Sequence, residues 1–285
     1  PWTAPADGRY VVEIKDTQGR GGPAFVYFLK VTRAEPAFTL ELDTDKTILA
    51  PGTSSVIFAR ATRWNGFAGE VQLGIEGLPP GVTARCGRIL ATGKDGCILL
   101  TAAPDAKVET SEIRVTGTAT HRDSWKSVRK LTAVARPLQE IYMPGGGRNH
   151  FPVETHAVSV AQALDLRSVK LSATDVVLRP GESKRIDVTL DRAPGFKQNV
   201  TLDLVYQHLS SIYGNSLPPG VTIDEKASQT LLTGEQSKGY ITLKAAPDAK
   251  PVDKQQVAVM AHVSINFVMK ATYCGEPLLV TVAPK

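Results

Sequence analysis

Side chains that could bind a partner are concentrated in two stretches of the sequence, residues 121–153 and 205–216. Arginine and aromatic residues together are typical of binding interfaces, and they also suit anionic glycans. The candidate binding residues in these stretches are Trp125, Tyr142, Arg148, His150, Phe151, Tyr206 and Tyr213. These residue types predict recognition by surface complementarity and identify no reaction.

Much of the excess positive charge also falls in residues 121–153. The whole chain has 33 Lys and Arg against 28 Asp and Glu, a formal charge of +5. Within this stretch, the two acidic residues are outnumbered by the basic ones. The acidic residues are Asp123 and Glu140, and the basic residues are Arg122, Lys126, Arg129, Lys130, Arg136 and Arg148. A connection of this length is uncommon unless it is functional. The alternatives are an extra strand at 127–135 or a solvated hairpin followed by a linker.

No constellation of catalytic or metal-binding residues is recognisable in the sequence. The five histidines are scattered, without an HExxH motif, so we predict no zinc site. A GxSxG nucleophile elbow is absent, and the glycine run at 145–147 lacks the Lys-Ser/Thr of a phosphate loop. Acidic pairs such as Asp43 and Asp45 supply few of the about six to eight oxygen ligands that a calcium site needs. The sequence therefore predicts a protein that is not an enzyme and carries no cofactor or metal.

Composition narrows the class of protein further. With 42% apolar and 21% charged residues, the chain resembles a globular protein and excludes disorder or a collagen repeat. No run of about 18 apolar residues occurs, so we predict no membrane span. The positive charge is modest and local, which argues against nucleic acid. Because the sequence begins at Pro1, we expect a processed product or a piece of a longer polypeptide.

An internal repeat divides the sequence into two copies of one domain. Four matches occur in the same order, while the spacing between them drifts, which indicates insertions in loops. One insertion is the stretch 121–153, and the other, 205–216, is predicted to be a short helix or an extended loop. The matches are LPPGVT at 78–83 and 217–222, AAPDAK at 102–107 and 245–250, Pro-Gly at 51–52 and 180–181, and ETHAVSVA at 154–161 with EPLLVTVA at 276–283.

Between the matches, apolar and polar residues alternate as they do in half-buried strands, for example at Val71, Leu73 and Ile75. Each copy offers about seven short strands joined by Pro-Gly and Pro-Asp turns, the pattern of an immunoglobulin-like sandwich. We therefore predict an all-β chain with two tandem immunoglobulin-like β-sandwiches, at 36–165 and 166–285.

Residues 1–35 belong to neither copy. Residues 10–14 and 25–29 have the apolar pattern of two strands around a glycine-rich connection, which predicts a β-hairpin. An isolated hairpin is marginally stable in water. We therefore expect it to pack on the first sandwich, on upstream strands or on another chain.

Several of these strings resemble known bacterial modules. DGRY at 7–10, followed by GGP at 21–23 and FVY at 25–27, resembles the last hairpin of pre-peptidase C-terminal domains, which are secreted β-sandwiches. The two repeats resemble the immunoglobulin-like modules that follow such domains in large secreted or envelope proteins. The resemblance implies an exported, non-enzymatic module that is secreted, at the cell surface or in the periplasm. Its implied partners are other domains of the same polypeptide or other envelope proteins.

Two of the three cysteines, Cys86 and Cys97, flank a turn and should lie on neighbouring strands. The second copy has Glu225 and Tyr240 at the matching positions, so both cysteines are absent together. That pattern favours a Cys86–Cys97 disulfide in an oxidising compartment, and the alternative is a pair of small buried apolar residues. Cys274 is left unpaired and is expected to be a core or loop residue.

Three functions are consistent with this sequence. The leading hypothesis is a structural or adhesive module that makes protein contacts through loops and sheet edges. The alternative is a carbohydrate-binding module whose basic, aromatic stretch 121–153 binds an anionic polysaccharide. An enzyme hidden in a sandwich would need a pocket with converging polar groups, which nothing in the sequence predicts.

Overall fold

The computed structural model describes residues 2, 4–31, 34–122, 127–143, 147–162, 165–208, 211–265 and 269–285 of the 285-residue chain. The chain divides into two compact units, Pro1–Ala34 and Glu35–Lys285. All the described strands lie in the second unit, which confirms the all-β prediction. No helix within the described ranges is long and apolar enough to cross a membrane.

The hairpin predicted in the first 35 residues is not formed. Over the described part of Pro1–Ala34 the backbone contains turns and bends but no strand. The connection itself does turn, because Asp16 accepts a hydrogen bond from the Gly19 amide at 3.0 Å. The flanking side chains are exposed, with Val11 at 88% and Phe28 at 89%. A hairpin of two short strands is only marginally stable in water when its apolar side chains remain exposed.

The described residues of the first copy form twelve strands. They are β1 (Ala37–Leu42), β2 (Lys46–Leu49), β3 (Ser54–Trp64), β4 (Val71–Glu76), β5 (Val82–Cys86), β6 (Arg88–Ile89), β7 (Asp95–Ala102), β8 (Glu109–Arg122), β9 (Val128–Arg136), β10 (Leu138–Met143), β11 (Gly147–Pro152) and β12 (His156–Val160).

In the second copy, the part of the chain that the structure describes has thirteen strands and one turn of 3-10 helix at Glu225–Ala227. The strands are β13 (Leu166–Leu171), β14 (Asp175–Leu178), β15 (Ser183–Arg192), β16 (Val200–Asp203), β17 (Val205–His208), β18 (Ser211–Asn215), β19 (Val221–Ile223), β20 (Leu231–Leu232), β21 (Lys238–Ala245), β22 (Val252–Val257), β23 (Met260–Ser264), β24 (Lys270–Cys274) and β25 (Leu278–Val282).

The first copy is a sandwich of two sheets. One sheet has the order β1-β3-β7-β5, and the other has the order β2-β12-β8-β4-β6. Strand β9 pairs with the distal half of β8 and, in parallel, with β1. Alternate side chains of both sheets, such as Leu40, Ile57, Ile98 and Val158, fill the core between them.

The second copy repeats this strand order. Its first sheet is β13-β15-β21-β19, and its second sheet has β14-β25-β22, with β23 extending β22 toward β16 and β20. Strand β24 pairs with β23 as β9 pairs with β8. Leu178, Ile186, Ile241 and Val280 occupy its core. The shared order confirms two tandem sandwiches.

The repeated strings LPPGVT and AAPDAK form the same corner in each copy. Gly81 and Gly220 adopt φ angles of +79° and +84°, which non-glycine residues rarely adopt. The carbonyl of Gly81 accepts a hydrogen bond from the Ala103 amide at 2.8 Å, and that of Gly220 accepts one from the Ala246 amide at 2.7 Å. Both strings are therefore structural, because each holds the other in place.

The two insertions are both hairpins. In the first copy, residues 128–136 form the extra strand β9, and β10 and β11 then pair as a hairpin. In the second copy, the predicted helix or loop at 205–216 is instead the hairpin of β17 and β18. The two strands pair from Val205 with Asn215 to His208 with Ser211, with a register shift between Tyr206 and Gln207.

The Cys86–Cys97 disulfide is absent, and all three cysteines are free. Cys86 stands opposite Ile98, whereas Cys97 stands opposite Phe58. Neighbouring residues of a strand point to opposite faces of a sheet. Cys86, on the face of Ile98, therefore points into the sandwich core, while Cys97 points to the outer face, and the two thiols cannot meet.

Candidate functional site

The site lies at the junction of the two sandwiches, where the two inserted hairpins meet. In the first hairpin, Tyr142 is paired with Arg148 and Glu140 with His150 across the strands. Because side chains alternate along a strand, these four share one face of the hairpin. That face is turned toward the second sandwich, and the opposite face, which carries Phe151, is exposed.

Arg148 is the centre of the contact. Its Nη2 atom donates a hydrogen bond to the Tyr206 hydroxyl at 2.8 Å, and its guanidinium carbon lies 4.3 Å from the centre of the Tyr213 ring. The same Nη2 atom forms an ion pair with the Glu140 carboxylate. The side chain of Arg148 is 3% exposed and that of Glu140 is 8% exposed. Breaking such a buried pair is costly, because one charge would remain without a partner.

Tyr142 and His150 complete the polar side of the contact. The Tyr142 hydroxyl donates to Glu140 Oε2 at 2.6 Å. The His150 ring lies 4.7 Å from that of Tyr213. Burial, and to a smaller extent the neighbouring charge of Arg148, lower the pKa of His150. A neutral imidazole packed on a phenol ring therefore forms part of the contact at neutral pH.

An apolar cluster lies beside these polar groups. Phe58 of β3 is buried and stacks on Tyr206, with ring centres 6.4 Å apart and planes 6° from parallel. The cluster combines residues of both sandwiches, which are Val56, Phe58, Cys97, Leu99, Ala258, Met260 and Cys274. This part of the junction is therefore packed like a small protein core.

A second ion pair anchors the insertion of the second copy. Arg60 donates from Nε and Nη2 to the two carboxylate oxygens of Asp95, at 2.7 and 2.9 Å. Asp95 also accepts a hydrogen bond from the Asn215 amide at 3.0 Å, and Arg60 donates to the Ile212 carbonyl at 3.3 Å. Bidentate arginine–carboxylate geometry fixes both partners. The pair therefore holds strand β18 against the first sandwich.

Two glutamines of β22 form the third group of contacts. Gln256 Nε2 donates to the carbonyls of Arg85 and Cys97, at 3.0 and 3.1 Å. Gln255 Nε2 donates to the Arg88 carbonyl at 3.2 Å. These amides thus tie β22 of the second sandwich to backbone carbonyls at the edge of the first.

The structure brings five of the seven predicted binding residues together. They are Tyr142, Arg148, His150, Tyr206 and Tyr213, and they contact one another across the junction. Phe151 lies apart from them on the outer face of its hairpin, 48% exposed. Trp125 lies outside the described residues. The sequence analysis did not identify Glu140 as part of the site, although its spacing of two residues from Tyr142 places both side chains on one face of a strand. It also did not identify Asp95, Gln255 and Gln256, for which the sequence contains no signal.

Two histidines are buried as neutral, hydrogen-bonded groups of the scaffold. His156 contacts the Thr47 hydroxyl at 2.9 Å and the Thr44 carbonyl at 2.9 Å, and burial lowers its pKa to about 4. His262 contacts the Thr272 hydroxyl at 2.9 Å, and burial lowers its pKa to about 3. Among the described residues, no group of three or more His, Cys, Asp or Glu could hold a metal ion.

Comparison with known proteins gives only weak likenesses. No protein-family model matches the chain, and no curated protein matches it. Domains 5–6 of the S-layer protein SbsC are 11% identical, with a TM-score of 0.30, over 88% of this chain and 100% of theirs. The D0-D1 domain of intimin is 14% identical, with a TM-score of 0.26, over 85% of this chain and 96% of its own.

The fibronectin(III)-like modules of Clostridium thermocellum CbhA are likewise 14% identical, with a TM-score of 0.22, over 85% of this chain and 92% of that one. Likenesses at this level carry no inference about what the chain does. Its function has to be inferred from its own contacts.

Proposed function

We propose that residues 35–285 act as a rigid two-sandwich spacer in a larger exported bacterial protein, a structural or adhesive module that works through protein contacts and performs no chemistry. The observation that supports this function is the contact between Arg148 of one insertion and Tyr206 of the other, at 2.8 Å. The two segments that distinguish the copies from each other thus serve to join them. Independent domains on a flexible linker would not need this contact.

Rigidity follows from the number of separate contacts at the junction. The Arg148 cluster, the Arg60–Asp95 pair and the amides of Gln255 and Gln256 belong to different strands. A rotation of one sandwich about any one of these contacts breaks the other two. The spacer therefore holds a fixed angle between its two sandwiches.

The carbohydrate-binding alternative would require the same side chains to face solvent. The Arg148 side chain is 3% exposed and is already paired with Glu140. A polyanionic glycan could reach it only by separating the two sandwiches. This burial favours the spacer over the glycan-binding module.

Residual dipolar couplings of backbone amides test the proposed rigidity. In the wild-type chain we expect the couplings of both sandwiches to fit one alignment tensor. Arg148→Ala leaves the buried Glu140 without its cation, which costs about 3 to 5 kcal/mol at this contact. We expect the couplings of that variant to require two different tensors.

Arg136→Ala is the matched control. Arg136 lies on β9, within the first insertion but outside its hairpin, and its side chain is 57% exposed, 4.0 Å from Glu154. The couplings of this variant should still fit a single tensor. Two tensors in the wild-type chain would contradict the proposal.

The exported location is supported by the resemblance of the repeats and of residues 7–27 to secreted bacterial modules. Fractionation of the native cells, followed by immunoblotting, tests it. We expect the protein in the envelope or the medium, as part of a polypeptide much longer than 285 residues. Recovery only from the cytoplasm would contradict this location.

A further inference from the structure

A small cavity of about 200 Å³ opens beside the inserted hairpins, between the two sandwiches. Phe58, Tyr142 and Tyr206 contribute aromatic rings to its wall, and Asp43 and Glu140 contribute carboxylates. Clefts between domains are preferred positions for ligand sites. The residues of this wall therefore indicate which kind of ligand the cavity would bind.

Asp43 is the carboxylate of this cavity that remains available. Its Oδ1 atom accepts a hydrogen bond from the Phe58 amide at 2.9 Å, and no other described residue donates to the carboxylate from its side chain or pairs with it. Glu140 is already occupied by Arg148 and by the Tyr142 hydroxyl. Burial raises the pKa of Asp43 to about 7, against the opposing influence of the Phe58 hydrogen bond and the Arg148 charge.

The basic residues at the cavity do not neutralise Asp43. Lys46 lies 3.7 Å from Asp45, and its side chain is 59% exposed. Lys270 acts electrostatically on Asp203, whose pKa burial raises and the Lys270 charge lowers. Asp95 adds a further negative charge near Asp43. Within the described part of the chain, the Asp43 carboxylate therefore has no cationic partner in contact.

We propose that this cavity binds a primary alkylammonium group, with the ammonium at Asp43 and the alkyl chain leaving past Ile48 and Ile265. The Asp43 carboxylate and the nearby hydroxyls accept the hydrogen bonds of the ammonium. Ile48 and Ile265, which are 64% and 62% exposed, offer apolar surface to the chain. A free amine and a lysine side chain of a partner protein both present this group.

Calorimetric titration with three ligands of four carbons each tests the proposal. We expect n-butylammonium to bind, and 1-butanol and butyrate to bind at least about tenfold more weakly, because a hydrogen-bonded ion pair is the main interaction. Binding of butylammonium should be stronger at pH 8 than at pH 6, since Asp43 must be ionised. A lysine-containing tripeptide, compared with the free amine, distinguishes the two sources.

Asp43→Asn is the diagnostic variant. An asparagine oxygen can still accept from the Phe58 amide, so the variant should fold, and circular dichroism verifies this. We expect it to bind butylammonium about tenfold or more weakly than the wild type. Equal binding by the variant, equal binding of the alcohol, preferential binding of butyrate, or no binding of butylammonium would each overturn the proposal.

Discussion

Gly214 lies directly against the ring of Phe58, with no room for a Cβ atom between the two residues. Gly214 belongs to β18, in the insertion of the second sandwich, and Phe58 belongs to β3 of the first. The missing side chain is thus what allows one domain to approach the other. Tyr206 can stack on the same ring because the backbone at Gly214 comes so close.

Gly214→Ala should therefore weaken the junction. The added methyl group must push aside a buried ring, and overpacking of this kind costs about 1 to 3 kcal/mol. Thermal unfolding measures the loss. Gly74→Ala is the control, because its Cβ would meet only the Thr116 hydroxyl, at 3.1 Å. Equal effects of the two substitutions would contradict a specific role for Gly214.

Stability should fall in acid because of buried histidines. The pKa of His156 is lowered to about 4 in the folded state. Below pH 6.5 its imidazole therefore binds a proton in the unfolded state but not in the folded state. Between pH 7 and pH 4.5 this costs about 2 to 3 kcal/mol. His262 acts in the same direction. Urea unfolding at the two pH values measures the loss, and His156→Gln should make it smaller.

Asp43 should have the opposite effect on the pH dependence of stability, which it lowers as the pH rises. Its pKa is raised to about 7, so between pH 4 and pH 7 the folded state holds a proton that the unfolded state releases. Its contribution to stability is therefore lost as the pH rises through this window. Between pH 4 and pH 8, the free energy of unfolding of Asp43→Asn should rise by about 4 kcal/mol relative to that of the wild type. A constant difference across this range would argue against a buried carboxylate.

The cysteines should be free and unequally reactive. Burial raises the pKa of Cys97 to about 11 and that of Cys274 well above its usual range. Cys86 is partly exposed, and burial raises its pKa also. A thiol reagent should label Cys86 slowly in the folded protein and all three cysteines after denaturation. A linked Cys86–Cys97 peptide in a non-reducing digest would contradict this arrangement.

The sequence by itself determined the repeat and the sandwich fold. Strings such as LPPGVT specify a corner that requires a glycine with positive φ, and alternating residues such as Val71, Leu73 and Ile75 specify half-buried strands. Both are local properties, because they depend on backbone sterics and on which face of a strand is buried. The same local pattern predicted a strand at 10–14, where the structure has none.

Tertiary structure alone decided what the unusual residues do. Arg148 and Tyr206 have the composition of a binding surface, yet they lie far apart in sequence, and only the packing of the sandwiches makes them partners of each other. The faces of Cys86 and Cys97 likewise depend on the pairing register with Ile98 and Phe58. A shift of one residue exchanges the two faces of a strand, and long-range packing sets that register.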